Sequence, residues 1–237
     1  AAAAPRMGTL TSNRYTVLLA LLNVRLGYWL RKPSRRRFWN AAPGASYFAR
    51  ELTGLMDENA AFLNLSDGGH LENLGIYELL RRRCRYIVAI DGEADSEHRF
   101  PGLLAAIQMA KIDLGVGVEP DLSDLRSGED RFKRARFAMS RIDYGTQPDG
   151  QHAYGLLFVI KLAMTGNEPE LLMKYHQENT AFPHQSTTQQ IFSEAQFEAY
   201  RLLGEHAAEA AFDPLLAGDS YTNVAEWLHE LEKRLIP

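Results

Sequence analysis

The sequence predicts an α/β domain, and three observations carry that expectation. A short apolar strand, a glycine-containing turn, an amphipathic helix and a second, almost wholly apolar strand follow one another between residues 61 and 90. Arg85 to Ile90 reads RYIVAI, a run that suits a parallel strand buried on both faces. Strand, helix and strand at this spacing form a βαβ unit, which is expected to cross over right-handed. The bulk numbers agree with an ordinary globular chain: 237 residues, 46% apolar, 24% charged, net charge −4. No basic excess points to nucleic acid as a partner. Cys84 is the single cysteine, so no internal disulfide framework exists, and a reducing, cytoplasmic setting is expected.

Taken in order, residues 14–30 predict a helix, with Val17, Leu18, Leu21, Leu22, Leu26 and Trp29 spaced near 3.6. Its apolar stretch, Tyr15 to Val24, includes Asn23 and is about half the roughly twenty residues a bilayer span needs. It is therefore read as a buried or interfacial helix. Ala1 to Ala4 and Pro5-Arg6-Met7-Gly8 carry no secretory pattern, and the expectation is a chain cut from a longer one. Arg31 to Arg37 is a basic loop between Trp29 and Trp39. It fits anionic lipid headgroups and a plain solvated loop equally well. Residues 45–55 predict a short helix.

Ala61 to Leu65 is the first strand, Ser66 to Glu72 the turn, Asn73 to Arg83 the helix and Arg85 to Ile90 the second strand. Phe100 to Ile112 predicts a helix and Val116 to Glu119 a short strand. Ala135 to Tyr144 and Gly155 to Met164 flank the turn Gln147-Pro148-Asp149-Gly150, which predicts an antiparallel pair. Helices are expected over Glu168 to Asn179, Ser193 to Phe212 and Val224 to Leu235, the second with Phe197, Tyr200, Leu203 and His206 near one face.

The chemistry concentrates in Leu65-Ser66-Asp67-Gly68-Gly69-His70-Leu71-Glu72-Asn73. An aspartate at the carboxyl end of a strand lies where open α/β sheets place their sites. The two glycines permit a tight turn with positive φ. A carboxylate there can take the proton of a serine hydroxyl directly, giving a Ser–Asp dyad. Asp-Gly and Gly-Gly are also common turn dipeptides, so on those residues alone a plain turn is the simpler reading.

The stretch NLSDGGHLENLGIYELLRRRCRYIVAIDGEAD, residues 64–95, resembles the D-G-G region of bacterial patatin-like phospholipases. More distantly it is similar to cytosolic phospholipases and fungal lysophospholipases. Met7-Gly8 with NVRLGYWL (23–30), then Thr165-Gly166-Asn167-Glu168-Pro169, Phe182-Pro183-His184-Gln185-Ser186-Thr187 and Gln196 to Arg201 resemble further parts of the bacterial group. The resemblance implies that Asp67 is the dyad base, that Gly68, Gly69 and Asn73 support its turn, and that the substrate is a lipid ester. It implies no metal and no cofactor. It also implies a partial three-layer patatin-like domain with a mainly parallel sheet over residues 1–115. An α/β carboxyl-terminal extension would follow over 116–237. Contact with a membrane surface from the cytoplasm follows in the same way.

The family's nucleophile elbow, G-x-S-x-G, does not occur in these residues. Gly44-Ala45-Ser46-Tyr47-Phe48 and Gly218-Asp219-Ser220-Tyr221-Thr222 each lack the second glycine, whose small size lets strand and helix pack closely. The serine is therefore expected upstream. Ser66 adjoins Asp67 but would point to the other side of the strand. His70, His176 and His184 match no compact ligand spacing for a metal shared with Asp67. Asp91 and Asp95 are expected to brace the sheet edge. The absence of G-x-G-x-x-G argues against a dinucleotide fold. The alternative to an enzyme is a non-catalytic lipid- or protein-binding remnant of the same fold.

Overall fold

The structure, a computed structural model, describes residues 28–32, 45–53, 59–65, 68–126, 132–133, 135–186, 191–216, 221 and 223–235. The chain divides into two compact units, Ala1–Asn73 and Leu74–Pro237.

In the first unit, β1 (Tyr28–Arg31) pairs antiparallel with β2 (Phe62–Leu65), Tyr28 opposite Leu65. Helix α1 (Ala45–Thr53) lays Tyr47 between Trp29 and Phe62, with edge-to-face ring centroids 5.1 and 5.2 Å apart. The end of the helix expected over 14–30 is thus strand at Tyr28–Arg31, because aromatic residues favour a pleated surface with cross-strand partners. Residues 14–27 and most of the basic loop lie outside the described residues.

The second unit is mixed α/β. Helix α2 (Ile76–Arg81) leads into β3 (Tyr86–Asp91), and α3 (Pro101–Leu114) precedes the short β4 (Gly117–Val118) and helix α4 (Ser123–Arg126). β5 (Phe137–Thr146) and β6 (His152–Lys161) form the expected hairpin around Gln147 to Gly150. Helices α5 (Glu170–Glu178), α6 (Glu194–Leu216) and α7 (Val224–Leu235) complete the chain. The sheet order is β3-β6-β5-β4. β3 and β6 run parallel, while the other two pairings are antiparallel. The sheet takes β3 from before residue 115 and β4 to β6 from after it.

Alternation along β6 builds two cores. Leu157 and Val159 join Ile87, Ala89 and Ile142 beneath Ile76 and Leu80 of α2 and Leu103, Ala106 and Ala110 of α3. Leu156, Phe158 and Ile160 face Ala207 and Ala211 of α6 and Trp227 and Leu228 of α7. Helices therefore cover the sheet on both sides. Within β6, Gly155 sits where a Cβ would lie 2.8 Å from the Arg85 carbonyl oxygen and 2.9 Å from the Tyr144 ring.

Four expectations are corrected. β2 pairs with β1 and β3 with β6, so the strands flanking α2 do not share a sheet among the described residues. A four-residue strand carries too little pattern to fix a distant partner. Helix α2 begins only after Gly75, which holds φ at +71° in the left-handed region and is not a helical residue. β3 is buried on one face only, with Val88 45% and Ile90 67% exposed on the other. It lies at the end of the sheet, whereas β6, flanked on both edges, is buried on both faces. On α6 the buried positions are Gln196, Ala199, Leu203, Ala207 and Ala211, and Phe197 is exposed. Of the expected face Leu203 is buried, and three of the other four buried positions are alanines.

Candidate functional site

The carboxyl ends of the parallel pair β3 and β6 meet at Asp91 and Lys161, which face each other in register. Both side chains are fully buried. The Lys161 ammonium donates to Asp91 Oδ1 and to the Glu93 carbonyl, each at 2.9 Å. Asp91 Oδ1 also accepts the Glu93 N–H at 2.9 Å. A buried charge pair of this kind persists only when both partners and their hydrogen bonds are in place.

The loop leaving β3 folds back over this pair. Asp95 Oδ2 accepts the Phe100 N–H at 2.7 Å, and the His98 N–H reaches the Asp95 carbonyl at 3.1 Å. His98 and Phe100 take φ of +50° and +57°, a strained region for side-chain-bearing residues. Phe100 is completely buried, which offsets that strain by packing.

A second segment, Phe182 to Ser186, straps across the same edge. Phe182 is buried, its carbonyl meets His176 Nδ1 at 2.9 Å, and the Pro183 carbonyl accepts the Tyr200 hydroxyl at 2.9 Å. His184 Nδ1 lies 3.4 Å from the Asp95 N–H, and its ring meets that of His98 edge-to-face at 4.9 Å. Beside the strap, Gly92, Gln185, Ser186, Phe192, Phe197 and Tyr200 line a pocket of about 200 Å³.

Burial, and then the neighbouring His98 and Lys161, pulls the His184 imidazole down to about 4 from an ordinary 6.5. His98 is lowered too, by burial first and then by Lys133 and Lys161. Both rings are neutral at pH 7. Burial raises the Asp95 carboxyl, but the Phe100 and Arg99 amides and Lys161 together hold it below its ordinary value. Between pH 6.5 and about 4 the unfolded chain takes up histidine protons that the folded chain refuses, so acid favours unfolding across this window. Asp95 acts in the same sense lower down, its contribution being lost as the pH falls through the carboxylate range. His184→Gln should flatten the thermal midpoint against pH between 6.5 and 4; an unchanged slope would show that His184 is not the group responsible.

Compared with known proteins, the chain matches no family model, no curated protein and no solved structure.

Asp67 and Ser66 lie outside the described residues. The residues that frame them do not: β2 ends at Leu65, and Gly68–His70 form a single 3-10 turn. The Gly68 carbonyl accepts the Leu71 and Glu72 amides at 2.9 and 3.1 Å. Gly68 is exposed and does not take a positive φ; the expected left-handed glycine is Gly75 instead. Gly69 is half-buried, and Asn73, the last residue of the first unit, is exposed. Ser46 is exposed on α1, and Ser220 lies outside the described residues. Asp91 and Asp95 are both buried, in keeping with a bracing role. No group of three metal-ligating side chains occurs among the described residues.

Three buried residues escaped sequence reasoning. Lys161 ends the run GLLFVIK, and a lone lysine closing so apolar a strand was the available signal. His98 had none. Arg136 forms a second buried network, donating to Glu168 at 2.5 Å, to Asn167 at 2.7 Å and to the Thr165 hydroxyl. Glu168 also accepts the Thr165 and Gly166 amides at 2.6 and 2.8 Å. The Thr165-Gly166-Asn167-Glu168 motif is thus a clamp before α5 that holds one side of the Arg136 guanidinium, with Asn167 also 3.2 Å from His206 Nε2.

Proposed function

We propose that this chain is the carboxyl-terminal part of a patatin-like, serine-dependent lipid acyl hydrolase, with Asp67 as the dyad base and the nucleophile upstream. One observation carries the reading. β2 ends at Leu65 and Gly68–His70 form a 3-10 turn, so in the sequence Asp67 falls on the short connection between a strand and a turn, and its carboxylate is the base of this reading. One of the three pairings in this sheet, β3–β6, is parallel where a mainly parallel sheet was expected; that pair and the helices on both sheet faces are what support a partial three-layer domain of this type.

In this mechanism the Asp67 carboxylate removes the serine hydroxyl proton as the oxygen bonds to the ester carbon. The departing alcohol leaves with that proton. Asp67 then takes a proton from water, whose oxygen attacks the acyl-enzyme, and returns that proton to the serine oxygen as the acid is released. Gly68, Gly69 and Asn73 shape the turn. No metal or cofactor enters. The substrate is a phospholipid or monoacyl lipid ester, met at a membrane surface from the cytoplasm. No described helix is long and apolar enough to cross a membrane.

The lack of a G-x-S-x-G elbow in these 237 residues favours one other reading, a non-catalytic lipid- or protein-binding remnant. Treating the 237-residue chain with a fluorophosphonate serine probe bears on where the nucleophile lies. No labelling is expected. Labelling that disappears in the Asp67→Asn variant would place the nucleophile within this chain, with Ser46 and Ser220 the first to test.

A further inference from the structure

The Phe182 to Ser186 strap has no part in the dyad chemistry, yet it links two separate stretches of the sheet edge. Toward α5 and α6 it is tied by the Phe182 carbonyl to His176, by the Pro183 carbonyl to the Tyr200 hydroxyl, and by Gln185 Oε1, which accepts from Gln196 Nε2 at 2.8 Å. Toward the loop between β3 and α3 it presents His184. The Asp95 N–H donates to His184 Nδ1 at 3.4 Å, and the His98 ring meets the His184 ring edge-to-face at 4.9 Å.

A ring nitrogen accepts a hydrogen bond only while it carries no proton. A backbone N–H can only donate, so this contact requires Nδ1 to be bare and places the proton of the neutral ring on Nε2. A second proton turns Nδ1 into a donor aimed at another donor. The neighbourhood does little for the resulting cation. On the loop, Asp95 Oδ2 is engaged by the Phe100 N–H, and the Glu93 carboxylate lies where a Cβ on Gly102 of α3 would stand. Beneath the loop Lys161 is held in its pair with Asp91. His98 is 3% exposed, with Lys133 as a neighbouring cation and Arg126 Nε donating to its carbonyl at 3.3 Å. On the far side of the strap, α5 contributes His176 and the Tyr175 ring, and α6 the Tyr200 hydroxyl, all directed at Phe182 or Pro183. Burial first, then His98 and Lys161, hold the His184 imidazole down to about 4, with Asp95 opposing them.

We propose that His184 is an acid-sensitive latch, whose protonation parts residues 92–100 from the strap and opens the pocket that lies between them. Gly92 lines that pocket from the loop, and Gln185 and Ser186 line it from the strap. At about 200 Å³ it is smaller than the usual small-molecule site of about 300–1,000 Å³, so the closed latch keeps it small. His98, held at φ +50°, is a point at which the parted loop relieves backbone strain. The strap keeps its ties to α5 and α6, so the opening is local. Asp67 takes no part, and the latch stands whether or not the hydrolase reading holds.

The test is hydrogen–deuterium exchange of the 237-residue chain at about pH 7 and about pH 4.5, with times scaled for the intrinsic exchange rate. Opening that restores the imidazole from about 4 to an ordinary 6.5 favours the open loop in acid, and protection of residues 92–100 should fall about 10- to 100-fold. Peptides from β5, β6 and α3 should keep their protection. In His184→Gln the side-chain amide oxygen accepts the Asp95 N–H at both pH values, so residues 92–100 should stay protected. His176→Gln should open in acid like the natural chain. A readout without substitution is the amide spectrum of the natural chain, in which the Asp95 resonance should move with the same midpoint as the His184 ring. Unchanged protection in acid, equal loss in His184→Gln, or simultaneous loss throughout the second unit overturns the latch. So does a His184 ring that titrates while the Asp95 amide stays still.

Discussion

Replacing Lys161 with methionine should destabilise the second unit by about 3–5 kcal/mol, the usual consequence of stranding a buried charge. Asp91 is fully buried, and its Oδ2 has no hydrogen-bond partner among the described residues. Removing the ammonium leaves this carboxylate with the Glu93 amide as its remaining donor. The loop over it would lose a second tie, since Lys161 also holds the Glu93 carbonyl. The double variant Asp91→Leu/Lys161→Met should recover much of the loss, because two apolar side chains avoid the desolvation that the pair must overcome. Urea unfolding followed by far-ultraviolet circular dichroism measures both. A single variant as stable as the natural chain would contradict the account of this edge. Breaking the exposed pair between Arg201 and Glu198 should change stability little by comparison, because solvent screens it.

The second large effect is expected at Asp67. In a protein that carries the nucleophile, Asp67→Asn should lower turnover of a lipid ester about 10³- to 10⁴-fold. This is the upper part of the range for general base catalysis, because the dyad holds no histidine to share the task. Asparagine is nearly the same size and can keep a turn hydrogen bond, so the unfolding midpoint should stay within a degree or two of the parent's. Asn73→Ala should do less, since its expected role is to support the turn and not to take the proton. Loss of folding in Asp67→Asn would instead mark the residue as a turn determinant alone.

Much of the fold was legible because its signals are local. The Gln147 to Gly150 turn fixes the β5–β6 hairpin, and the apolar period of Val224 to Leu235 gives α7 its bounds. What was not legible depends on distant partners. RYIVAI has the composition of a strand covered on both faces, yet nothing within it tells a central strand from one at the sheet's end, where Val88 and Ile90 are exposed. The pairing of β2 with β1 is likewise decided outside the four residues involved. On α6 the large residues drew attention to Phe197, whereas the buried face is Leu203 with Gln196 and three alanines, and an alanine carries little hydrophobic signal. The Asp67 turn was readable as a motif before any geometry. The Lys161–Asp91 pair was not, because a lysine at a strand end reads as a solvated terminus until its register partner is known.

The claim that Asp67 is the base of a serine hydrolase is tested most directly by intact mass after fluorophosphonate treatment. The protein for this measurement is these 237 residues extended upstream through the nucleophile region, in parental and Asp67→Asn forms. One adduct on an upstream serine of the parent, and none or a trace on the variant at equal times, is the predicted result. No adduct on the parent, or equal labelling of both proteins, would contradict it.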